Sequence, residues 1–489
     1  MPENLSTECT PKLSAELGYG LRQGILSQWG TLAQSLSSIA PTATPAMVIP
    51  LVIAVSGRSS WIAYLLATVG AALVALHINV FARDSSSPGS LYAFVQEELG
   101  PWSGTVAGWA VLIAYIGTAA AVTGGVVQYA QGLFGGFFLR PTWATILILA
   151  SVSIATLLAY ENVELSARFM LWAEAVSISL ILLLFFFPGH AYHFAWDPSQ
   201  FSREAFQMPP IRAGLILAIF SFVGFESAAA LGAEAAHPLR TIPRAVLGTA
   251  VLSGVFFVFS AYTEVAAFGG RLDLLTNSAA PLQLLAQLKG AAWLAPLLTV
   301  GAVVSFFACT LACITASART ALLISAHGSL PSPLSWAHDK NRTPHVAVLI
   351  SGLATAVPAV WLTFRHVSGF DIYGWVGTIA TFGFVTAYFL VVAAALVRLQ
   401  RRKQSNSWNR ALGVVTLLFL GWAFAGSLNL GVTGPERLLA PIFFALLLVG
   451  VVSGVIFRRT QAKTVTTAAG TAGLATPKTS ENYECEENG

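Results

Sequence analysis

The fold of this chain is decided by two stretches, QSLSSIAPTATPAMVIPLVIAV at residues 34–55 and LILAIFSFVGFESAAALGAEAAHP at residues 215–238. Both are apolar enough to lie within a bilayer, yet both contain residues that interrupt a helix. Pro41 and Pro45 stand in the middle of the first stretch, where proline removes an amide donor and clashes with the preceding turn. In the second, a flexible glycine, Gly224, stands two residues before a buried acid, Glu226. Two interrupted spans at matching positions indicate a binding site inside a helical bundle.

The composition of the whole chain agrees with a membrane environment. Of the 489 residues, 55% are hydrophobic and only 10% are charged, and the mean hydropathy is +0.70. Apolar runs long enough to cross a bilayer as helices recur along the sequence, and they lack the two-residue alternation of a membrane barrel. We therefore predict an all-α integral membrane protein.

The apolar runs predict about twelve transmembrane helices between residues 31 and 460. Residues 1–30 are expected to form a polar cytoplasmic tail, and residues 461–489 a disordered cytoplasmic tail. The predicted spans lie near residues 33–56, 61–82, 103–134, 141–160, 166–188, 212–236, 244–268, 292–324, 344–365, 371–397, 411–431 and 438–458.

The distribution of basic residues predicts the orientation. Most of the 26 lysines and arginines fall in segments that are cytoplasmic if the N-terminus is cytoplasmic. An even number of spans then places both termini on the cytoplasmic side of the cell membrane. Because this bias accounts for the net charge of +4, no affinity for nucleic acid is expected.

The prolines predict an unwound stretch near Ala40 to Thr44 in the first span. The second half-helix would begin with Thr42 or Thr44 as its cap. Its free amides, at Thr44, Ala46 and Met47, would form an anion site at a helix N-terminus. The alternative is a plain proline kink in a packed helix.

Glu226 in the sixth span has two interpretations of equal weight. Acids at membrane depth are functional candidates, in coupling or gating. A carboxylate at the start of a half-helix can instead cap free amides. Glu234, near the end of the same stretch, is expected to be a wetted loop residue.

Four segments together resemble the amino acid-polyamine-organocation superfamily over nearly the whole transmembrane region. They are FVGFESAAALGAEAAHPLRTIPRAV at 222–246, SSSPGSLYAFVQEELGPWSGTVAGW at 85–109, SARTALLISAHGSLPSPLSWAHDKNRTPHVAV at 317–348 and SSIAPTATPA at 37–46.

This resemblance implies a five-plus-five inverted repeat with broken first and sixth spans, plus two extra helices. It also implies that a solute sits between the breaks, with its carboxylate on amides of the first span and its ammonium on exposed carbonyls. The residues carried over for solute binding are Ser38, Ile39, Ala40, Thr42, Ala43 and Thr44 on one wall and Phe220, Ser221, Phe222, Gly224 and Phe225 on the other.

Glu174 of the fifth span is a second candidate for coupling. It lies some nine residues inside that span, a depth of about 14 Å at 1.5 Å per residue. The resemblance places a cation-equivalent site nearby, with Cys313, Thr315 and Ser317 as the nearest candidate partners. The alternative is a neutral acid hydrogen-bonded to a neighbouring helix.

These observations favour a secondary transporter for an amino acid or amine, coupled to protons or acting by exchange. A channel or solute sensor on a transporter scaffold is the alternative. No enzyme is predicted, because HExxH, GxSxG and nucleotide-binding loops are absent from the sequence. No cofactor and no metal site are expected.

Overall fold

The computed structural model describes residues 18–85, 87, 90–134, 140–188, 196–269, 271–428 and 434–472, and these residues are predominantly helical. Ten helical stretches among them are long and apolar enough to cross a membrane, and the chain is therefore a multi-pass membrane protein. The α-helices are α1 Gln28–Ile39, α2 Ile49–Ser56, α3 Ser60–Ala82, α4 Ser90–Phe134, α5 Pro141–Glu161, α6 Val163–Phe186, α7 Met208–Phe220, α8 Pro238–Phe268, α9 Leu272–Thr276, α10 Pro281–Leu288, α11 Leu294–Ala326, α12 His345–Phe364, α13 Gly369–Arg401, α14 Ser407–Leu428 and α15 Leu439–Ala472.

Two predicted spans lie within one helical stretch of 55 residues, Gln28–Ala82. In this stretch α2 ends at Ser56 and α3 begins at Ser60, after a 3-10 turn in which Gly57 has a φ of 54°. A positive φ is readily adopted only by glycine, so this residue allows the tight reversal between the two helices.

The third and last long helices differ from the predicted spans. Helix α4 begins at Ser90 instead of residue 103, and it is interrupted at Gly100, whose φ is 86° and which precedes Pro101. Helix α15 continues to Ala472, so residues 461–472 are helical, although the sequence suggested that they are disordered. Their sequence, QAKTVTTAAGTA, lacks proline and can extend the preceding helix. Residues 1–17 and 473–489 of the predicted tails lie outside the described residues.

The bundle has two ends, which we name after residues that mark them. The Gly57 end is where α2 meets α3. The Arg401 end is where α3 and α13 finish, and there Arg398 contacts Glu97 at 2.8 Å and Glu98 at 3.1 Å.

The surface between these ends is apolar, as a surface facing lipid should be. Leu252, Leu353 and Val449 are 62%, 62% and 68% exposed, respectively. Inside the bundle, small residues bring α4 and α13 close together. A Cβ on Gly117 would lie 3.1 Å from that of Ala380, and one on Gly383 would lie 2.5 Å from the carbonyl oxygen of Ala110. Membrane helices commonly pack through such small residues, because there is no hydrophobic drive between them in lipid.

The N-terminal segment is held to the sixth predicted span by main-chain pairing. The amide of Leu26 donates to the carbonyl of Glu234 at 2.9 Å, and the amide of Ala236 donates to the carbonyl of Leu26 at 2.9 Å. Residues just before α1 are therefore attached to the bundle.

Candidate functional site

The first break begins where α1 ends at Ile39. Ala40 adopts a left-handed conformation, with a φ of 48°, and its amide donates to the carbonyl of Ser37 at 3.0 Å. The helix resumes with a wide π-helical turn, Thr44–Val48, that leads into α2. The unwound stretch thus lies at the predicted position, because Pro41 cannot donate to the preceding turn.

The capping of the second half-helix differs from the prediction. Its N-cap is Ala43, and no side chain caps it, so neither Thr42 nor Thr44 has that role. The amide of Ala46 donates to the carbonyl of Thr42 at 3.1 Å. The predicted anion site therefore lacks one of its three expected amides, because the Ala46 amide is already hydrogen-bonded within the chain.

The second break separates α7 from a short 3-10 helix, Ser227–Leu231. Gly224 lies between them with a φ of 91°, a conformation that side chains disfavour. The predicted sixth span, 212–236, is therefore two short helical pieces. Glu226 occupies the N-cap position of the second piece, as the capping interpretation predicted, but its side chain makes no capping bond to the amides that follow.

The two breaks are in direct contact inside the bundle. A Cβ on Gly224 would lie 2.9 Å from the Cβ of Ser38 and 3.1 Å from its carbonyl oxygen. The hydroxyl of Ser227 lies 2.7 Å from that of Ser38. The amide of Ala228 donates to the hydroxyl of Ser35 at 2.8 Å. Residues almost 190 positions apart in sequence are thus joined, and Ser38 is the centre of the junction.

The remaining residues predicted for solute binding do not all point toward this junction. Phe222 packs edge-on against Phe257 of α8, and Phe225 packs against Tyr388 of α13. On the first wall, Ile39, Ala40, Thr42, Ala43 and Thr44 are all buried. Among the described residues, the hydroxyl of Thr42 has no hydrogen-bond partner.

Phe220 lines a cavity of about 700 Å³ at the Gly57 end. Its ring lies 5.4 Å from that of Tyr373, which lines the same cavity. Polar residues of α13 and of the segment before α15 also line it, among them Asp371, Thr378 and Arg437. This volume falls within the range of small-molecule sites in proteins.

Glu226 is held by two tyrosines that were not among the predicted site residues. It accepts hydrogen bonds from Tyr115 at 2.8 Å and from Tyr388 at 2.5 Å, and it is fully buried. The Tyr388 oxygen also accepts from the amide of Gly224 at 3.3 Å. The acid is thus connected to the second break through one hydroxyl. Tyrosines on other spans carry no sequence signal that predicts this contact.

Glu174 is fully buried, and its partner differs from those predicted. The hydroxyl of Ser305 in α11 lies 3.1 and 2.9 Å from the two carboxylate oxygens. Cys313, Thr315 and Ser317 are not its partners; Ser317, for example, donates to the carbonyl of Ile314. The three predicted residues lie roughly 12–18 Å farther along α11 than Ser305, at 1.5 Å per residue. The sequence alone could not show which residue of α11 lies level with Glu174.

Glu234 and Arg319 form an ion pair that is completely buried. The guanidinium donates to the two carboxylate oxygens at 2.5 and 2.7 Å, and a third bond reaches the carbonyl of Thr315 at 3.0 Å. Glu234 is therefore not the wetted loop residue predicted from its position near His237 and Pro238. The sequence could not show that α11 covers it.

A family model for amino acid permeases matches residues 30–433, which include both breaks. The chain belongs to the amino acid permease family. Relatives of this permease include an uncharacterized transporter of Mycobacterium tuberculosis, which is 28% identical over 295 residues. That match covers 60% of this permease and 64% of the relative, so slightly less than two thirds of the relative's length is matched.

Two relatives with more specific names match longer stretches of the permease. The branched-chain amino acid permease BcaP of Bacillus subtilis is 23% identical over 427 residues, covering 83% of this permease and 87% of BcaP. The low-affinity putrescine importer PlaP of Escherichia coli is 24% identical over 349 residues, covering 70% and 74% of the two chains. The resemblance seen in the sequence is thereby confirmed at the level of the family.

Proposed function

We propose that this permease is a secondary active transporter that carries an amino acid or a related amine across the cell membrane by alternating access. The contact between the two breaks, at Ser38 and Gly224, is the observation that carries the proposal. Broken helices expose amides and carbonyls that continuous helices cannot offer, and these groups suit the two charges of an amino acid. The names of BcaP and PlaP support an amino acid or an amine as the solute.

The proposed fold has twelve spans with an inverted repeat. Counting the two parts of Gln28–Ala82 separately and adding the broken sixth segment brings the ten stretches to twelve. Both termini would then be cytoplasmic, at the Arg401 end, where the basic residues of α13 lie. Under this proposal the cavity beside Phe220 opens toward the outside.

We assign the solute to the breaks, with the predicted residues of both walls around it. Ser38 and Gly224 are best supported, because they lie at the junction itself. Phe220 would close the cavity above the solute, since it lies between the cavity and the second break. Phe222 and Phe225 would act mainly by packing the broken segment against α8 and α13.

The Arg401 end is closed in this conformation. The buried pair of Glu234 and Arg319 lies beyond the breaks, and Arg398 joins the ends of α3, α4 and α13 through Asp84, Glu97 and Glu98. Alternating access would require these charges to separate when the Gly57 end closes. Under this proposal the conformation would be one that is closed toward the cytoplasm.

A gradient must drive accumulation, and we assign proton coupling to Glu174, with Glu226 in coupling or gating. Glu174 lies beside Ser305 in the middle of the bundle, where a change of charge would alter the packing of α6 on α11. Glu226 connects α4 and α13 to the second break.

Uptake into proteoliposomes is the experiment that tests the proposal. Purified protein is assayed with labelled amino acids and diamines under imposed pH or sodium gradients, with protein-free liposomes as the control. We expect saturable uptake of at least one such solute and competition by its close analogues. Ion conductance without solute uptake would instead support a channel, and binding without transport would support a sensor.

A further inference from the structure

Glu264 is a buried acid that was not among the predicted site residues and has no role in the proposed coupling. It lies in α8 and is 1% exposed, and neither carboxyl oxygen has a hydrogen-bond partner among the described residues. By contrast, Glu174, Glu226 and Glu234 each accept hydrogen bonds from a side chain. Its lack of a partner separates it from the other acids inside the bundle.

Two tyrosines connect the surroundings of Glu264 with both breaks. Tyr64 of α3 and Tyr129 of α4 lie close enough to interact with it electrostatically. The hydroxyl of Tyr64 lies 3.2 Å from that of Ser221 in the second break. The hydroxyl of Tyr129 donates at 2.9 Å to the carbonyl of Ala46, in the π-helical turn that directly follows the first break. A change of charge at Glu264 is therefore felt on both sides of the proposed solute site.

No cation neutralises this carboxyl within the part of the chain that the structure describes. Arg58, Arg271 and Asp273 lie on neighbouring segments at the Gly57 end and are exposed, and the half-buried Asp197 lies against Tyr262 of α8. The buried Lys289 donates to the carbonyls of Leu184 and Phe185. None of these charged residues forms an ion pair with Glu264. The hydroxyls of Ser260 and Thr263, on the same helix, are also buried without hydrogen-bond partners among the described residues.

An ionised carboxylate without partners costs several kcal/mol or more in such a place. Glu264 must therefore be neutral in this conformation, with a proton on one oxygen. It lies four residues from Phe268, the last residue of α8, or about 6 Å from the Gly57 end at 1.5 Å per residue. A small opening at that end would let water reach the carboxyl and stabilise its ionised form.

We propose that Glu264 is a proton-binding site that exchanges its proton with water at the Gly57 end and transmits its charge to both breaks through Tyr64 and Tyr129. On opening, the carboxyl O–H bond breaks and the proton passes to water. On closure, the carboxylate takes a proton back from water. As a part of transport this rests on the proposed function, whereas the presence of the proton can be measured without any transport.

Infrared spectroscopy of the permease in lipid nanodiscs tests the proposal directly, because a protonated carboxyl absorbs apart from a carboxylate. At neutral pH we expect the parent to show a protonated-carboxyl band that disappears in Glu264→Gln. Glu436→Gln removes an exposed acid at the same end and should leave the band unchanged. Glu174→Gln should not remove this particular band. Identical spectra for the parent and Glu264→Gln would overturn the proposal.

Two further measurements complete the test. If Glu264→Gln does not fold, Tyr64→Phe and Tyr129→Phe keep the carboxyl and should shift its band, and unshifted bands in both would count against the site. In transport assays, Glu264→Gln should lower the rate of pH-driven uptake about tenfold and leave the exchange of solute for solute unchanged. If uptake in this variant stays as pH-dependent as in the parent, the coupling role fails. If the parent carries no solute at all, the proposed function fails, and the infrared result still decides whether Glu264 holds a proton.

Discussion

Gly224 packs against Ser38, with no room between them for a side chain: a Cβ on the glycine would lie 2.9 Å from the serine Cβ. This contact joins the two interrupted helices beside the place that we assign to the solute. The left-handed backbone of Gly224 adds a second obstacle to any substitution, because its φ is 91°.

The first prediction follows from this contact. Gly224→Ala should lower solute uptake by at least about tenfold, since backbone strain of roughly 1–3 kcal/mol adds to the clash with Ser38. Gly224→Leu, which is larger, should abolish solute binding. Gly248→Ala is the matched control, because nothing lies within 4 Å of a Cβ at that helical position. If folded Gly224→Leu protein binds solute as well as the parent, the solute does not lie at the breaks.

The second prediction concerns the two tyrosines that hold Glu226. Tyr115→Phe and Tyr388→Phe should each lower the free energy of unfolding by about 1–3 kcal/mol, because each removes a donor from a buried carboxyl. The double variant should lose more than the sum of the two, as it leaves Glu226 without either donor. Thermal denaturation of the four proteins in detergent completes the cycle. Losses that add within about 0.5 kcal/mol would show that the two hydroxyls act independently.

The third prediction concerns the buried ion pair at the Arg401 side of the breaks. Glu234→Gln or Arg319→Gln alone should cost about 3–5 kcal/mol of stability, because either change leaves one buried charge unpaired. The double variant should be more stable than either single one. Glu164→Gln breaks the more exposed pair with Arg168 and should change stability by about 0.5 kcal/mol or less. Equal losses in all of these variants would argue against a special role for burial.

The fourth prediction separates driven uptake from exchange. Glu174→Gln keeps the shape of the side chain but cannot ionise, so it should abolish accumulation driven by a pH gradient and retain exchange of solute for solute. The measurement is uptake into liposomes with an acidic exterior, at matched amounts of inserted protein. Accumulation that depends on sodium, not on pH, would assign Glu174 a different role. Unchanged pH-driven accumulation would make it a packing residue.

The sequence predicted the breaks well because their causes are local. Pro41 lacks an amide donor and Gly224 tolerates a positive φ wherever they occur, so the interruptions could be located without knowing the neighbouring helices. Long apolar runs likewise require a helix in lipid whatever surrounds them. From the fourth span to the tenth, the helices begin and end within a few residues of the predicted limits. The exceptions are the sixth span, which is broken, and α8, which begins earlier than predicted.

What could not be predicted depends on contacts between distant segments. Ser305 was missed as the partner of Glu174 because the relative depth of α6 and α11 is fixed by tertiary packing. Glu234 was assigned to water because nothing in its own segment shows that Arg319 covers it. Glu264 could have been predicted, because an acid within an apolar span is a functional candidate wherever it occurs.

The main-chain pairing of Leu26 with the segment that ends the second break has a practical consequence. Both hydrogen bonds are made by the main chain, so only proline, which lacks the amide, would remove one outright, whereas the buried side chain of Leu26 requires an apolar residue. Shortening the chain or fusing an affinity tag near this position would instead strain the attachment and could be mistaken for a defect in the solute site.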